Sequence, residues 1–179
     1  QRVLSNPRKA RWKIEHAQVV DPADFDRFAD GIIPSVQPTH ATSDMYWAEE
    51  RLGPDRVKGA YAYQTLLKKA SLLALGTDFP VEQVSPLLTY YAAVARQDLM
   101  GYPDGGYFVE EGLSRMQALK GMTTWAAYSN FEEGEKGMIR PGYYADFTLL
   151  TEDILEAPLS ALPTIPIQGV VIGGELVTK

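Results

Sequence analysis

The sequence of 179 residues contains no cysteine and only two histidines, His16 and His40. Without cysteine the chain can form neither disulfide bonds nor thiolate metal sites. The absence of cysteine does not fix the compartment, because cysteine-free chains occur on both sides of a membrane. The localisation of the protein therefore stays unknown from the sequence.

Long apolar runs and basic clusters are also missing. No apolar run is long enough to span a bilayer, and no signal peptide is visible. The formal net charge is −6, and the short basic stretch 8–13 alternates with Ala10 and Trp12, as the exposed side of a strand would. We therefore expect neither a membrane nor a nucleic acid as partner. The first residue is Gln1 rather than methionine, which we interpret as a processed or shortened chain.

The composition and the pattern of apolar runs predict an α/β fold. Apolar residues make up 45% of the chain and charged residues 22%, which is the balance of a globular protein rather than of a disordered one. Three apolar runs of strand length are followed by segments with helical spacing, which indicates a parallel sheet covered by helices. The predicted parallel strands cover 13–17, 32–36 and 72–75. A further strand over 145–150 and a hairpin around Gly173 and Gly174 are predicted near the C-terminus.

Polar side chains follow each of the three predicted parallel strands. His16, Gln37, His40 and Asp78 therefore gather at the C-terminal edge of the sheet, where α/β proteins carry their chemistry. His16 fits either a metal ligand or a hydrogen-bonded structural residue, and Asp78 fits either a catalytic carboxylate or a turn residue. Gln37 and His40 can orient a substrate carbonyl or anchor a loop, and spacing does not decide. Glu15 lies on the opposite face of its strand, so it cannot be the direct partner of His16.

Other catalytic motifs are absent from the sequence. No glycine-rich turn is followed by Lys-Ser or Lys-Thr, so a phosphate-binding loop is excluded. The glycine-rich stretch 101–106 follows a helix rather than a strand, which argues against a dinucleotide-binding fingerprint. No Gly-x-Ser-x-Gly nucleophile elbow occurs.

Several segments together resemble amidohydrolase family 3, which includes N-substituted formamide deformylases. In chain order, the segments are 14–18 (IEHAQ), 35–40 (SVQPTH), 75–81 (LGTDFPV), 93–96 (AVAR), 137–146 (GMIRPGYYAD) and 171–174 (VIGG). The resemblance implies the C-terminal portion of a (β/α)₈ TIM-type barrel, about strands six to eight, in residues 1–131. Residues 132–179 would be part of a small accessory β-domain.

The resemblance also implies roles for the residues at the sheet edge. His16 and Asp78 would bind a divalent metal, zinc, in the full-length parent, and Asp78 would also act as general base and acid. Gln37 and His40 would lie close to the substrate. The other metal ligands of the family, which follow barrel strands one, four and five, have no counterpart in this chain. We therefore expect weak or absent metal binding by this chain alone.

The resulting prediction is a fragment of a metal-dependent hydrolase that acts on C–N bonds of amide-like, non-peptide small molecules and is inactive as an isolated chain. Because a piece of a barrel exposes strand edges, we expect a homo-oligomer or a need for the missing N-terminal half. The same argument predicts that the apolar face formed by Ile14, Ile33, Val36 and Leu73 is exposed to water. The alternative is a non-catalytic binding or assembly module that keeps the amidohydrolase shape.

Overall fold

The computed structural model describes residues 7–177, which form an α/β chain with two sheets. Within these residues the strands are β1 (Lys13–Glu15), β2 (Ile33–Val36), β3 (Ala74–Leu75), β4 (Phe147–Leu150), β5 (Ile167–Ile172) and β6 (Glu175–Val177). The helices over the same residues are α1 (Pro7–Ala10), α2 (Pro38–Asp44), α3 (Ala48–Arg56), α4 (Tyr63–Ala70), α5 (Pro86–Ala95), α6 (Arg115–Met122) and α7 (Thr124–Ser129). Stretches of 3₁₀ helix cover Pro22–Asp30, Val57–Gly59, Val109–Glu111 and Leu159–Thr164.

The first sheet is parallel with strand order β1-β2-β3, which confirms the three predicted strands. β1 ends at Glu15 because the next two residues leave the extended region: φ is 67° at His16 and 39° at Ala17. Glu15 is paired with Ser35 across the sheet. This register brings the C-terminal ends of the strands to one edge.

Two of the helical segments begin at side-chain caps. The carboxylate of Asp21 accepts a hydrogen bond from the Ala23 amide at 2.9 Å and caps the 3₁₀ stretch that starts at Pro22. Ser114 forms a capping box with Gln117 at the start of α6. Helices α6 and α7 are separate rather than one continuous helix, because Thr123 between them has φ −124° and ψ −90°.

Helices cover the faces of β2 and β3. Helix α4 packs against β2, while α6 and α7 pack against β3. Gly121 allows α6 to come close, because a Cβ atom at this position would lie 2.6 Å from Leu75 Cγ and 3.1 Å from the Leu73 carbonyl oxygen. The core of the molecule is therefore continuous from the parallel sheet to these helices.

The prediction of an exposed apolar face is wrong for three of its four residues. Ile33, Val36 and Leu73 are buried, and only Ile14, at 43% exposure, faces water. Helix α4 contacts β2, and α6 and α7 contact β3, whereas all three residues of β1 are exposed. Exposure within this sheet is therefore concentrated on β1, one of its two edge strands, whereas the other edge strand, β3, is buried.

The second sheet is antiparallel, with strand order β4-β5-β6, as predicted for the C-terminal part of the chain. Gly173 and Gly174 connect β5 to β6 with φ of 59° and 87°, a turn that favours glycine at both positions. Leu162 and Ile165, from the segment before β5, belong to the same apolar core as Val36 and Leu73. A domain division at residue 132 stays a prediction.

Among residues 7–177, none of the helices combines the length and the apolar character needed to cross a bilayer.

Candidate metal centre

Each of the predicted site residues lies just beyond the end of a parallel strand. His16 directly follows β1, and Gln37 follows β2 and precedes the first residue of α2. His40 occupies the first turn of α2, and Asp78 lies three residues after β3. The parallel topology brings these four side chains to one rim of the sheet.

His16, His40 and Asp78 converge at this rim. The Asp78 Oδ2 atom lies 3.6 Å from His40 Nε2 and 3.9 Å from His16 Nδ1. The two imidazole rings are stacked, with centroids 5.7 Å apart and an interplanar angle of 17°. One donor atom from each of the three residues lies within 4.8 Å of the other two, which is the spacing of ligands around one ion.

The backbone of the site is held in uncommon conformations. His16 has φ 67° and Asp78 has φ 56°, both in the left-handed region that non-glycine residues seldom adopt. A residue held in such a region costs about 1–3 kcal/mol and persists only where the surrounding structure enforces it. The strain at these two positions coincides with the convergence of their side chains.

The sequence did not identify His40 as a metal ligand, but the structure places it among the three candidate ligands. Its side chain is 10% exposed, and Nε2 is buried without a hydrogen-bond partner among the described residues. The 3.6 Å contact with Asp78 is too long for a hydrogen bond. A buried nitrogen left in this state is costly unless another ligand satisfies it, and a cation between His40 and Asp78 would do so.

The sequence signal for His40 lies in the spacing of Gln37, Pro38 and His40. Pro38 starts α2, and residues three apart at a helix start share a face. This spacing predicts that Gln37 and His40 face the same rim. It does not predict the distance from His40 to Asp78, which depends on how β3 and α2 pack.

Gln37 connects His16 to Glu15. The Gln37 Oε1 atom lies 3.0 Å from His16 Nδ1, and Gln37 Nε2 donates to Glu15 Oε1 at 2.7 Å. Ser35 Oγ donates to the same Glu15 oxygen at 2.9 Å. Glu15 therefore does not contact His16 directly, as its place in the strand predicts, but it reaches His16 through the Gln37 amide.

The floor beneath Gln37 is buried and aromatic. The Tyr63 hydroxyl donates to the Gln37 carbonyl oxygen at 3.1 Å, and burial raises the pKa of Tyr63. The Arg96 guanidinium lies 4.9 Å from the Tyr63 ring centroid, and Arg96 Nε donates to the Tyr107 carbonyl oxygen at 2.8 Å. Burial lowers the pKa of Arg96. These contacts fix the backbone at Gln37.

Behind the site, α2 carries a second polar cluster. The Asp44 carboxylate accepts hydrogen bonds from Gln18 Nε2 at 2.6 Å and from the Tyr61 hydroxyl at 2.8 Å. Burial is the main cause that raises the pKa of Tyr61. This cluster links the residue after His16 and Ala17 to the end of α2 and so helps to hold both sides of the rim in register.

The residues present fit a divalent cation. Two imidazoles and one carboxylate form a donor set that suits zinc and other borderline metals. The unpartnered buried Nε2 of His40 and the short distances among the three donors support this fit. The sequence predicted two metal ligands, His16 and Asp78, and the structure adds His40 as a third candidate.

Known proteins resemble this chain over nearly its whole length. The sequence matches the amidohydrolase family over residues 2–178. It is 37% identical over 173 residues to YtcJ of Bacillus subtilis (strain 168), whose name describes an amidohydrolase; the match covers 96% of this chain and 33% of that protein. It is also 38% identical over 146 residues to the Arabidopsis thaliana protein LONG AFTER FAR-RED 3, and this match covers 80% of this chain and 25% of that protein.

The fold is similar to that of a solved metal-dependent hydrolase. The crystal structure of a metal-dependent hydrolase from Pyrococcus horikoshii OT3 matches with a TM-score of 0.72 and 33% identity, over 82% of this chain and 30% of that chain. The chain spans about a third of the length of YtcJ and of this hydrolase. Its α/β fold is thus of the class related to the TIM barrel. Since the family match extends over residues 2–178, this chain belongs to the amidohydrolase family.

Proposed function

We propose that this chain is the part of a metal-dependent hydrolase that carries the proton-transferring carboxylate and one side of the metal site. The reaction would be hydrolysis of a C–N bond in an amide-like, non-peptide small molecule, as in the N-substituted formamide deformylases that the sequence resembles. The observation that carries the proposal is the convergence of His16, His40 and Asp78 within 4.8 Å at the C-terminal rim of a parallel sheet.

In this proposal β1, β2 and β3 correspond to about strands six to eight of a (β/α)₈ barrel. A complete barrel typically needs about 250 residues. The exposure of every residue of β1 supports a missing neighbour on that side of the sheet. The antiparallel sheet from β4 to β6 would belong to the accessory β-domain, which we assign to residues 132–179.

The chemistry of the site follows from its donors. A divalent cation held by His16, Asp78 and His40, with zinc as the best candidate, would supply Lewis acidity and lower the pKa of water to about 7. As the water oxygen bonds to the carbonyl carbon, an Asp78 carboxylate oxygen accepts the water proton. Asp78 then gives that proton to the nitrogen as the C–N bond breaks, which leaves a carboxylic acid and an amine.

The remaining predicted roles belong to the same proposal. His40 lies close enough to Asp78 either to bind the cation or to contact a substrate carbonyl. Gln37 was also predicted to contact substrate, although both ends of its amide already have partners. We propose that the isolated chain does not hydrolyse amides at a measurable rate and that it pairs with a copy of itself or with the missing N-terminal half.

A direct test extends the chain with its in-frame upstream coding sequence. We expect the extended protein, loaded with zinc, to release amine from N-formyl or N-acyl amines, and we expect Asp78→Asn to abolish this release. The 179-residue chain serves as the matched comparison and should be inactive. An extended, folded protein that binds zinc and hydrolyses no such compound would favour the non-catalytic binding or assembly module.

A further inference from the structure

We propose that Glu15 and Gln37 are positioning residues that fix the tautomer of His16, so that Nδ1 carries the proton and Nε2 offers the lone pair. The inference rests on the proposed function, in which His16 is a ligand of a divalent cation. The sequence excluded Glu15 as a direct contact of His16, and the inference gives Glu15 a role that acts through Gln37. It also gives Gln37 a role other than substrate binding.

The direction of the hydrogen bonds carries the argument. A carboxylate only accepts hydrogen bonds, so Glu15 requires the NH₂ group of the Gln37 amide at 2.7 Å. The amide is then oriented with its oxygen toward His16 Nδ1 at 3.0 Å. Because this oxygen only accepts, the imidazole nitrogen that faces it must be the one that bears hydrogen. Hydrogen-bond donation therefore runs one way, from His16 Nδ1 to Gln37 and from Gln37 to Glu15.

The backbone explains how Glu15 and His16 can engage the same side chain. In a regular strand their side chains would point to opposite faces of the sheet. The positive φ of His16 breaks this alternation directly after β1. The pairing of Glu15 with Ser35 places Glu15 beside Gln37, two residues further along the same face. The positive φ of His16 therefore lets the His16 ring and the Glu15 carboxylate contact the same Gln37 amide.

Burial protects the middle of the connection, Gln37, whereas Glu15 and the His16 side chain at its two ends are exposed. Gln37 is 4% exposed, and its backbone carbonyl is held by the Tyr63 hydroxyl. His16 Nδ1 lies 3.9 Å from Asp78, which is too far for a hydrogen bond, so Gln37 is its partner within residues 7–177. Histidines that bind metals commonly donate their other ring N–H to an oxygen, and this outer contact orients the ligand. Gln37 supplies that oxygen here.

The first test needs no metal. Nitrogen-15 NMR of the imidazole rings of the metal-free 179-residue chain, above the pH at which histidine is protonated, reports which ring nitrogen carries hydrogen. We expect His16 to be in the Nδ1–H form in the wild type and to become a mixture of tautomers in Glu15→Gln and Gln37→Leu. Ser35→Ala is the control, because it removes a bond to Glu15 and leaves the Gln37 amide untouched. An Nε2–H form or a mixture in the wild type would overturn the inference, even if no variant folds.

The second test exchanges the residues at positions 15 and 37, which restores the hydrogen bonds in the same direction, and measures zinc binding. Glu15→Gln and Gln37→Leu should each weaken zinc binding by about 10-fold, the lower end of the effect of outer-shell changes at metal sites. The double variant E15Q/Q37E again has an acceptor facing His16 and a donor at position 15. It should therefore bind zinc within about twofold of the wild type, the scatter of independent measurements.

A merely structural role would not produce this recovery, and a double variant weaker than both single variants would contradict the inference. Failure of the proposed function would look different. In that case His16 would keep its fixed tautomer and the extended protein would hydrolyse no amide.

Discussion

The strands of the parallel sheet are held in place in two different ways. β2 and β3 are buried under helices, with Val36 and Leu73 fully excluded from water, whereas every residue of β1 is exposed. β1 and Arg11, two residues before it, are held by polar side chains instead: Arg11 donates to Glu133, and Lys13 Nζ donates to Asn130 at 2.8 Å. The candidate metal centre therefore joins a donor fixed by core packing, His40, to one fixed by hydrogen bonds, His16.

The difference shows where the molecule tolerates change and where it does not. Apolar burial stabilises β2 and β3 and does not depend on the protonation of a side chain. Polar contacts around β1 are weaker, partly exposed and dependent on protonation. Three comparisons between the two sides follow, from the largest expected effect to the smallest.

The largest difference is expected in core stability. Leu73→Ala should lower the free energy of unfolding by about 2–5 kcal/mol, because it removes a fully buried side chain and leaves a cavity. Ile14→Ala, in the exposed β1, should change it by no more than about 0.5 kcal/mol. Urea unfolding of both variants against the wild type measures the two values. Equal losses would mean that β1 is covered in solution, for example by a second copy of the chain.

The next comparison concerns the two histidines. Zinc at about 100 times its Kd should raise the free energy of unfolding of the wild type by about 2.7 kcal/mol, since it binds the folded state. His16→Ala and His40→Ala should both lose most of this gain, although one side chain is exposed and the other buried. Asp24→Asn, in a surface ion pair with Arg27, is the control and should retain it. If His40→Ala kept the full gain in the free energy of unfolding, His40 would not be a metal ligand and would instead contact substrate or anchor a loop.

The smallest effect is a pH dependence on the β1 side. The Arg11 guanidinium lowers the pKa of Glu133 from 4.5 to about 2. Since the folded-state pKa is depressed, the stabilisation is complete above about pH 4.5 and is lost as the pH falls toward 2. The wild type should therefore have a larger free energy of unfolding than Glu133→Gln at neutral pH, and this difference should disappear in acid. Chemical unfolding at several pH values measures this gap, and Glu135→Gln is the control for the loss of one carboxylate elsewhere in the same segment.

Much of the parallel sheet could be predicted from the sequence because its signals are local. Apolar runs of strand length, the Asp21 cap and the Ser114 capping box each depend on neighbouring residues only. The polar residues after each run likewise gave the position of His16 and Asp78 at one rim. Parallel topology then required no information beyond the alternation of strands and helices.

The rest depended on long-range packing and on backbone conformations that no pattern reveals. The close approach of α6 to the Leu75 side chain and the Leu73 carbonyl oxygen depends on the absence of a side chain at Gly121. The positive φ of His16 breaks the alternation on which the exclusion of Glu15 was based. The partnership of Gln37 with both Glu15 and His16 follows from that break, so strand periodicity alone could not give it.

The most direct test of the candidate metal centre is a calorimetric titration of the metal-free chain with zinc, repeated with Asp78→Asn. The account predicts weak binding of one ion per chain, removable by a chelator, because His40 adds a third ligand to the two predicted from the sequence. Asp78→Asn should lose detectable binding, because a ligand should matter more than its outer-shell partners. Binding that is unchanged in Asp78→Asn, or no binding by the folded wild type, would contradict the assignment of His16, His40 and Asp78 as the site.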